Sequence, residues 1–341
     1  MFTSPTPFIP VDEEELIAQA WTIFRKDPAE LLGLDDAQAI RVRGTLVLNV
    51  DVFDESTDWL PGMALSDVGW RAVVAGVSDV LVKGAKPLGI LLAVGLPEDL
   101  VEASRELFTG VAEACEELGV KVWGGDLGAS ELLYVSVTAV GVAERLISRR
   151  GARPGDVLMI AGHEVLTPAA YALLLKGAKP CKEAGEALRA AFRPKLVKPE
   201  FWLEVLDSVT ASIDDSDGLA LTLHRLAEAS RVRLVVETLP LSHALVRCAE
   251  EWGLDPLELA LYGGGEEYNF VFTVEKERED EVLERARKHG VKAWRVGRVE
   301  EGGGVYVEGL GEVERRGWLH FKPDNWGSAP SRVVNSPTHP A

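Results

Sequence analysis

Residues 66–83 constrain this chain most: they have the period of a helix, yet Val73, Val74, Ala75, Val77, Val80, Leu81 and Val82 leave it apolar almost all round. A helix with no polar face has to be buried. Ser78 and Asp79 sit inside it. An ionised carboxylate in such a place is costly unless it is paired or bound to a metal, and that marks Asp79 as a functional residue.

The flanking segments alternate between strand and helix patterns. In residues 45–51, Leu46, Leu48 and Val50 fall on one face and Asn49 and Asp51 on the other, so a strand delivers Asp51 at its end. A strand over 88–96, a helix over 99–118, a strand ending Trp123-Gly124-Gly125-Asp126 and a strand over 132–142 follow. Ahead of them, Ile17, Ala20, Trp21 and Phe24 have the spacing of a covering helix over 12–26. Turn formers and charge dominate residues 148–156, which places a domain boundary there. The second half opens with a strand over 157–161. It reaches Ile213-Asp214-Asp215-Ser216-Asp217-Gly218 ahead of a helix, and later a glycine run, Gly263-Gly264-Gly265, before a strand over 268–274. The expectation is an α/β chain of two domains, 1–147 and 148–325, with a flexible tail over 326–341.

Charge narrows the functions. Lys and Arg number 36 against 54 Asp and Glu, a formal net charge of −18 that repels nucleic acid and anionic membrane surfaces. A small anionic ligand then needs something positive between it and the carboxylates, and a divalent cation is the economical choice. No apolar run is long enough to span a membrane, and the N-terminus does not read as a secretory signal. The three cysteines, Cys115, Cys181 and Cys248, are far apart, odd in number and make no CxxC, which argues for a reducing cytoplasm and against zinc. Asn and Gln are rare, as in heat-adapted chains. A P-loop, a GxGxxG fingerprint, an HExxH pair and a nucleophile elbow are all missing from the sequence.

What remains is a set of acids at strand ends and helix starts: Asp35 and Asp36, Asp51, Asp126, and Asp214, Asp215 and Asp217. Each by itself reads equally as a helix cap or a turn residue. Converging, they repel one another unless cations intervene, and hard oxygen donors without a Cys or His set suit Mg²⁺. The segment Gly263-Gly264-Gly265-Glu266-Glu267-Tyr268 is either a tight turn or backbone bent closely round a ligand. Arg149, Arg150 and Arg153 are either solubilising charges or phosphate holders.

Six segments in order carry a resemblance: Gly33-Leu34-Asp35-Asp36-Ala37; Val77-Ser78-Asp79-Val80 with Gly84-Ala85-Lys86-Pro87; Gly124-Gly125-Asp126; residues 150–156; Ile213 to Leu219; and Leu261 to Tyr268. So arranged, the chain resembles the thiamine-monophosphate kinases of the aminoimidazole ribonucleotide synthetase-like superfamily, its archaeal members most. The resemblance implies that superfamily's two-domain fold, with an N-terminal mixed sheet that pairs in a homodimer and a C-terminal α/β domain. It implies ATP as co-substrate, several Mg²⁺ ions, and transfer of the γ-phosphoryl group to thiamine monophosphate. By position, Asp35, Asp51, Asp79, Asp126, Asp214 and Asp217 match metal-binding acids. Gly125, Asp126, Arg149 and Ser216 match ATP contacts, and Asp58, Glu266 and Trp318 match substrate positions. An acceptor oxygen already ionised at neutral pH needs no protein base, so no catalytic acid or base residue is expected. The chain departs from many bacterial members in having Asp58 where they have His, Leu127-Gly128-Ala129-Ser130 where they have Thr-Thr-Arg-Gly, and no Gly-Asp pair in residues 162–167. The rival readings are an ATP-dependent synthetase of the same superfamily and a non-catalytic nucleotide-binding protein.

Overall fold

The structure, a computed structural model, describes residues 38–42 and 44–321. The expected helix over 12–26, Asp35 and the tail over 326–341 lie outside the described residues. In the first half the order is β1 (Gln38–Val42), β2 (Gly44–Asp54), α1 (Glu55–Asp58), α2 (Leu65–Val82), β3 (Lys86–Leu96), α3 (Ser104–Leu118), β4 (Lys121–Ala129) and β5 (Tyr134–Ala143). The strands form one sheet in the order β1-β2-β5-β3-β4, antiparallel except where β3 pairs with β4. The α3 helix starts later than its sequence pattern suggests, because residues 98–100 close as a separate 3₁₀ turn in which the Leu100 N–H donates to the Pro97 carbonyl (3.0 Å).

The α2 helix is buried along nearly its whole length, as its composition requires. Its approach to α3 is set by two glycines. A Cβ at Gly69 would stand 2.1 Å from the Leu107 carbonyl oxygen, and one at Gly110 would stand 1.8 Å from that of Ser66. The helices therefore pack backbone against backbone, and Ala at either position forces them apart.

The second half contains β6 (Val157–Gly162), α4 (Thr167–Leu175), α5 (Ala184–Phe192), α6 (Pro199–Val205), β7 (Val209–Asp214), α7 (Leu219–Ser230), β8 (Arg233–Val236), α8 (His243–Trp252), α9 (Pro256–Tyr262), β9 (Phe270–Val274), α10 (Glu279–His289), β10 (Lys292–Glu300), β11 (Gly304–Val307) and β12 (Gly311–Glu312). Its sheet runs β12-β11-β8-β10-β6-β9-β7. β9 starts two residues later than the apolar run, because Glu266 (φ +56°) and Tyr268 (φ +52°) hold left-handed backbone.

Polar side chains fasten the C-terminal end of α2 to β7. Lys83, fully buried, donates from Nζ to the Ser212 carbonyl (2.9 Å). Ser212 Oγ donates to the Val82 carbonyl (2.7 Å), and Ser78 Oγ donates to Asp214 (2.7 Å). This seam brings an acid of the second half to the buried helix of the first.

One feature departs from what the sequence suggests. Cys181 and Cys248, 67 residues apart in the chain, form a disulfide that ties the loop ahead of α5 to α8, while Cys115 is a buried free thiol. Separation along the chain says nothing about where the folded backbone returns. The direction of the apolar face of β2, which the sequence left open, is outward: Val50 is 61% exposed and Val52 50%, joined on the same sheet by Trp123, Leu127 and Tyr134. The face carrying Asn49 and Asp51 turns toward α2, where Asn49 Nδ2 donates to Asp79 (2.6 Å).

Candidate active site

A cavity of about 260 Å³ opens between the two halves. Its walls come from the β2–α1 corner, α2, α4, the turn after β7, the 265–268 segment and the irregular segment at Trp318. Asp51, Asp58, Ser216, Asp217, Glu266 and Trp318, all singled out in the sequence, line it together.

Local folding explains the convergence. β2 alternates faces, so Asp51 points inward at its end, and Asp58 closes the following turn by accepting the Asp54 N–H (2.7 Å). The 263–268 segment wraps the turn after β7: the Glu266 N–H donates to the Ser216 carbonyl (2.7 Å) and the Tyr268 N–H to the Asp215 carbonyl (2.9 Å). A Cβ at Gly265 would stand 2.6 Å from the Ser216 carbonyl oxygen, so glycine permits that contact. The segment is a turn that wraps the backbone after β7, and its Gly265 and Glu266 line the cavity. Left-handed backbone at Glu266 and Tyr268 is a local strain that the wrapped loops hold in place. Trp318 is fixed by its N–H, which donates to the Asp217 carbonyl (2.9 Å), and its ring meets His320 edge-on at 5.6 Å.

The floor is acidic. Burial pushes the Asp51 carboxyl up to about 7, and repulsion from Asp58, Asp214 and Asp217 adds to it against one hydrogen bond from the Val52 N–H. Asp79 is held well above the usual carboxylate range by burial and then by Asp214 and Asp51. Asp214 is also raised by burial, opposed by the Ser78 hydroxyl, Lys83 and Arg149. Burial and the Glu266 charge bring Asp58 to about 6. Among the described residues no three acids close into a finished metal cage. Asp51, Asp79 and Asp214 nevertheless face one another closely enough to disturb one another's protonation, and they offer only hard oxygen donors. That donor set and unrelieved repulsion fit Mg²⁺.

The sheet register keeps Asp126 out of this group. Asp51 stands opposite Val137, Val137 opposite Leu92, and Leu92 opposite Gly125, so Gly125 and Asp126 lie three strands away, about 14 Å at the usual strand spacing. All of β4 is exposed. Arg149 lies nearer the acids of the second half, its charge opposing the rise at Asp214.

Two family models match the chain, AIR synthase related protein N-terminal domain over residues 34–143 and AIR synthase related protein C-terminal domain over residues 153–309. Thiamine-monophosphate kinase of Aquifex aeolicus is 36% identical over 300 residues, covering 86% of this chain and 94% of that protein. The chain belongs to the thiamine-monophosphate kinases of the AIR synthase related family. Thiamine-monophosphate kinase of Archaeoglobus fulgidus is 33% identical over 314 residues, covering 91% of this chain and 98% of that one. The structure of AaThiL complexed with AMPPCP and TMP superposes with a TM-score of 0.81 at 33% identity, covering 93% of this chain and all of that one.

Within this AIR synthase related fold, the sequence reading missed the groups that orient Glu266. Arg71, 2% exposed, pairs with the Glu266 carboxylate and donates from its other terminal nitrogen to the Ala191 carbonyl (2.9 Å). The Tyr171 hydroxyl donates to the same carboxylate. A signal for Arg71 was present: with Ala75 and Asp79 it makes an i, i+4, i+8 stripe of non-bulky or charged residues on an apolar helix. Tyr171 lies in an apolar helix pattern and has no such signal.

Proposed function

We propose that this protein is a thiamine-monophosphate kinase that transfers the γ-phosphoryl group of ATP to thiamine monophosphate, giving thiamine diphosphate and ADP. The carrying observation is one cavity with an acidic floor and an organic wall, in a chain that matches a kinase structure bearing AMPPCP and TMP along its full length. Trp318 and Phe53 offer apolar surface to the heteroaromatic rings. Glu266, locked by Arg71 and Tyr171, presents a fixed carboxylate to the cationic end of the substrate. Asp58 adds a second acceptor on the opposite wall. The acceptor phosphate oxygen is already ionised, so these residues position the substrate rather than remove a proton.

The metal assignment belongs to the same proposal. Asp51, Asp79 and Asp214 would hold Mg²⁺, with Asp217 and Asp35 as further ligands, whereas Asp126, three strands away, would not reach an ion held by these three. When bound, Mg²⁺ neutralises the donor and acceptor phosphates and the carboxylate floor. Ser216 and Arg149 would meet the triphosphate, and Gly125 and Asp126, on an exposed edge strand, would meet the remainder of the nucleotide. The exposed apolar face of the first sheet supports a homodimer, because a patch carrying Val50, Val52, Trp123 and Leu127 is a surface that a second copy would bury. The domain division at 147/148 is proposed on the two separate sheets. No described helix is long and apolar enough to cross a membrane. A cytoplasmic location is proposed on composition, with the disulfide read as a feature that heat-adapted cytoplasmic proteins also carry.

Labelled γ-phosphate decides the function. It is expected in thiamine diphosphate, in step with ADP. Release of the label as inorganic phosphate without any effect of thiamine monophosphate favours a synthetase and sinks the kinase reading. Ligand-induced stabilisation without ADP formation favours a non-catalytic binder.

A further inference from the structure

The α4 helix begins without a cap of its own. Leu166 at its N-cap position offers no side-chain acceptor, and Pro168 in the first turn has no N–H, so the Leu166 and Thr167 N–H groups need an acceptor from elsewhere. Glu267, 100 residues further along the chain and 5% exposed, supplies it. Its Oε1 accepts the Thr167 N–H (2.6 Å) and the Leu166 N–H. The Thr167 hydroxyl donates to the Gly265 carbonyl (2.7 Å), with Glu267 Oε1 a longer second acceptor (3.1 Å). A Cβ at Gly264 would stand 2.7 Å from Pro168 Cα, so the glycine run lies directly on the first turn of α4.

Tyr171 follows Thr167 by four residues, about one helical turn, and therefore faces the same side of α4. Its hydroxyl donates to the Glu266 carboxylate. The helix thus grips the 265–267 turn twice, through Glu267 at its own start and through Glu266 one turn later. Glu266 lines the catalytic cavity, whereas Glu267 lines a second cavity, of about 600 Å³, behind it. The short backbone between these two residues is the wall that divides the spaces. Glu267 is absent from the lining of the catalytic cavity, so its influence on a substrate there has to pass through α4 and the turn.

We propose that Glu267, tied through Thr167 to Gly265, is a positioning residue for the reaction: by capping α4 across the fold it holds Tyr171 against Glu266, and so fixes the carboxylate that meets thiamine monophosphate. The proposal rests on the assignment of the catalytic cavity to that substrate. Outer groups that orient a functional side chain can matter nearly as much as the side chain itself.

The test combines calorimetric titration with thiamine monophosphate and steady-state kinetics on the full chain, for Glu267→Ala, Glu267→Gln, Tyr171→Phe and the Glu267→Ala/Tyr171→Phe double variant. Glu267→Ala is expected to raise the Kd and KM for thiamine monophosphate about tenfold and to leave the KM for ATP within about twofold. Glutamine keeps an acceptor at the same place and should restore most of the loss. Both residues act on Glu266 by one route, so adding Glu267→Ala to Tyr171→Phe should weaken binding by no more than about twofold further. Should the alanine variant not fold, Thr167→Val takes its place in the cycle with the same expectations. The proposal is overturned by effects that multiply independently, by an equal rise in the KM for ATP, or by a glutamine as damaging as the alanine. A lowered melting temperature with an unchanged Kd would show a structural role alone and overturn it too. A parent that binds no thiamine monophosphate defeats the kinase reading and this proposal with it, whereas a parent that binds it and an independent pair of variants defeat only the positioning role.

Discussion

Asp79 is the residue whose environment makes the strongest demand. Its carboxyl is raised by burial and by two acidic neighbours, so the metal-free protein holds it against its own electrostatics. Asp79→Asn keeps the volume and removes the charge. Turnover is expected to fall at least about 100-fold, as for lost metal ligation, while the metal-free variant melts no lower than the parent at pH 8. Steady-state rates and scanning calorimetry check both; near-normal rates at low Mg²⁺ would defeat the metal assignment. Glu266 is held by Arg71 and Tyr171, and its proposed role is toward substrate rather than metal. A charged hydrogen bond is worth about 1.5–3 kcal/mol, so Glu266→Gln should raise the KM for thiamine monophosphate on the order of tenfold or more. The KM for ATP should stay unchanged, and an equal rise in both would show that the substitution disturbs the whole cavity. Asp79 was legible from the sequence because burial of a charge leaves a local mark, an acid in an apolar helix. Tyr171 was not, because a tyrosine hydroxyl in a helix pattern gains its meaning only from the carboxylate it meets across the fold.

At the scale of elements, two associations await solution tests. The disulfide from the loop ahead of α5 to α8 closes 67 residues of chain, and loop-closure entropy for that length is about 4 kcal/mol. The Cys181→Ser/Cys248→Ser variant should therefore melt lower, by several degrees or more, and a reductant should lower the parent's melting point toward it. Identical melting curves would show that the bridge is not formed in the isolated protein. The outward face of β2 and β4 carries the second association. Val50→Asp together with Leu127→Asp puts charge at two positions 61% and 58% exposed in the single chain, where neither disturbs the core. Sedimentation should convert a dimer into a folded monomer; a monomeric parent would remove the dimer from the proposal. The strand pattern of β2 was legible in the sequence, alternation included, while the direction of its apolar face was left open. Period-two alternation fixes which residues share a face, whereas the position of α2 decides which face is covered.

The whole molecule links its acids to pH and metal. Folded carboxyls raised above their ordinary values bind protons more tightly than the unfolded chain does, so their contribution is most favourable below about pH 4. It is lost as the pH rises through their folded values, about 6 for Asp58 and about 7 for Asp51. Three units at a single site correspond to roughly 4 kcal/mol, and partial access of water to Asp51 reduces that. The metal-free protein should lose melting temperature between pH 5 and pH 8, and Mg²⁺ should restore it at the higher pH. A flat profile, or restoration by Na⁺ at equal ionic strength, would count against a metal-binding floor. The sequence by itself determined the alternation of strands and helices, the buried helix, the acids at element ends and the order of motifs that identifies the family, because backbone period and the cost of burying a charge act within a few residues. Only the tertiary structure decided that Asp51, Asp79 and Asp214 come close enough to raise one another's carboxyls while Asp126 stands three strands away, that Cys181 meets Cys248, that Arg71 pairs with Glu266, and that a second cavity lies behind the first. Those are distances between residues remote in the chain, set by how sheets and helices pack, and no local pattern encodes them.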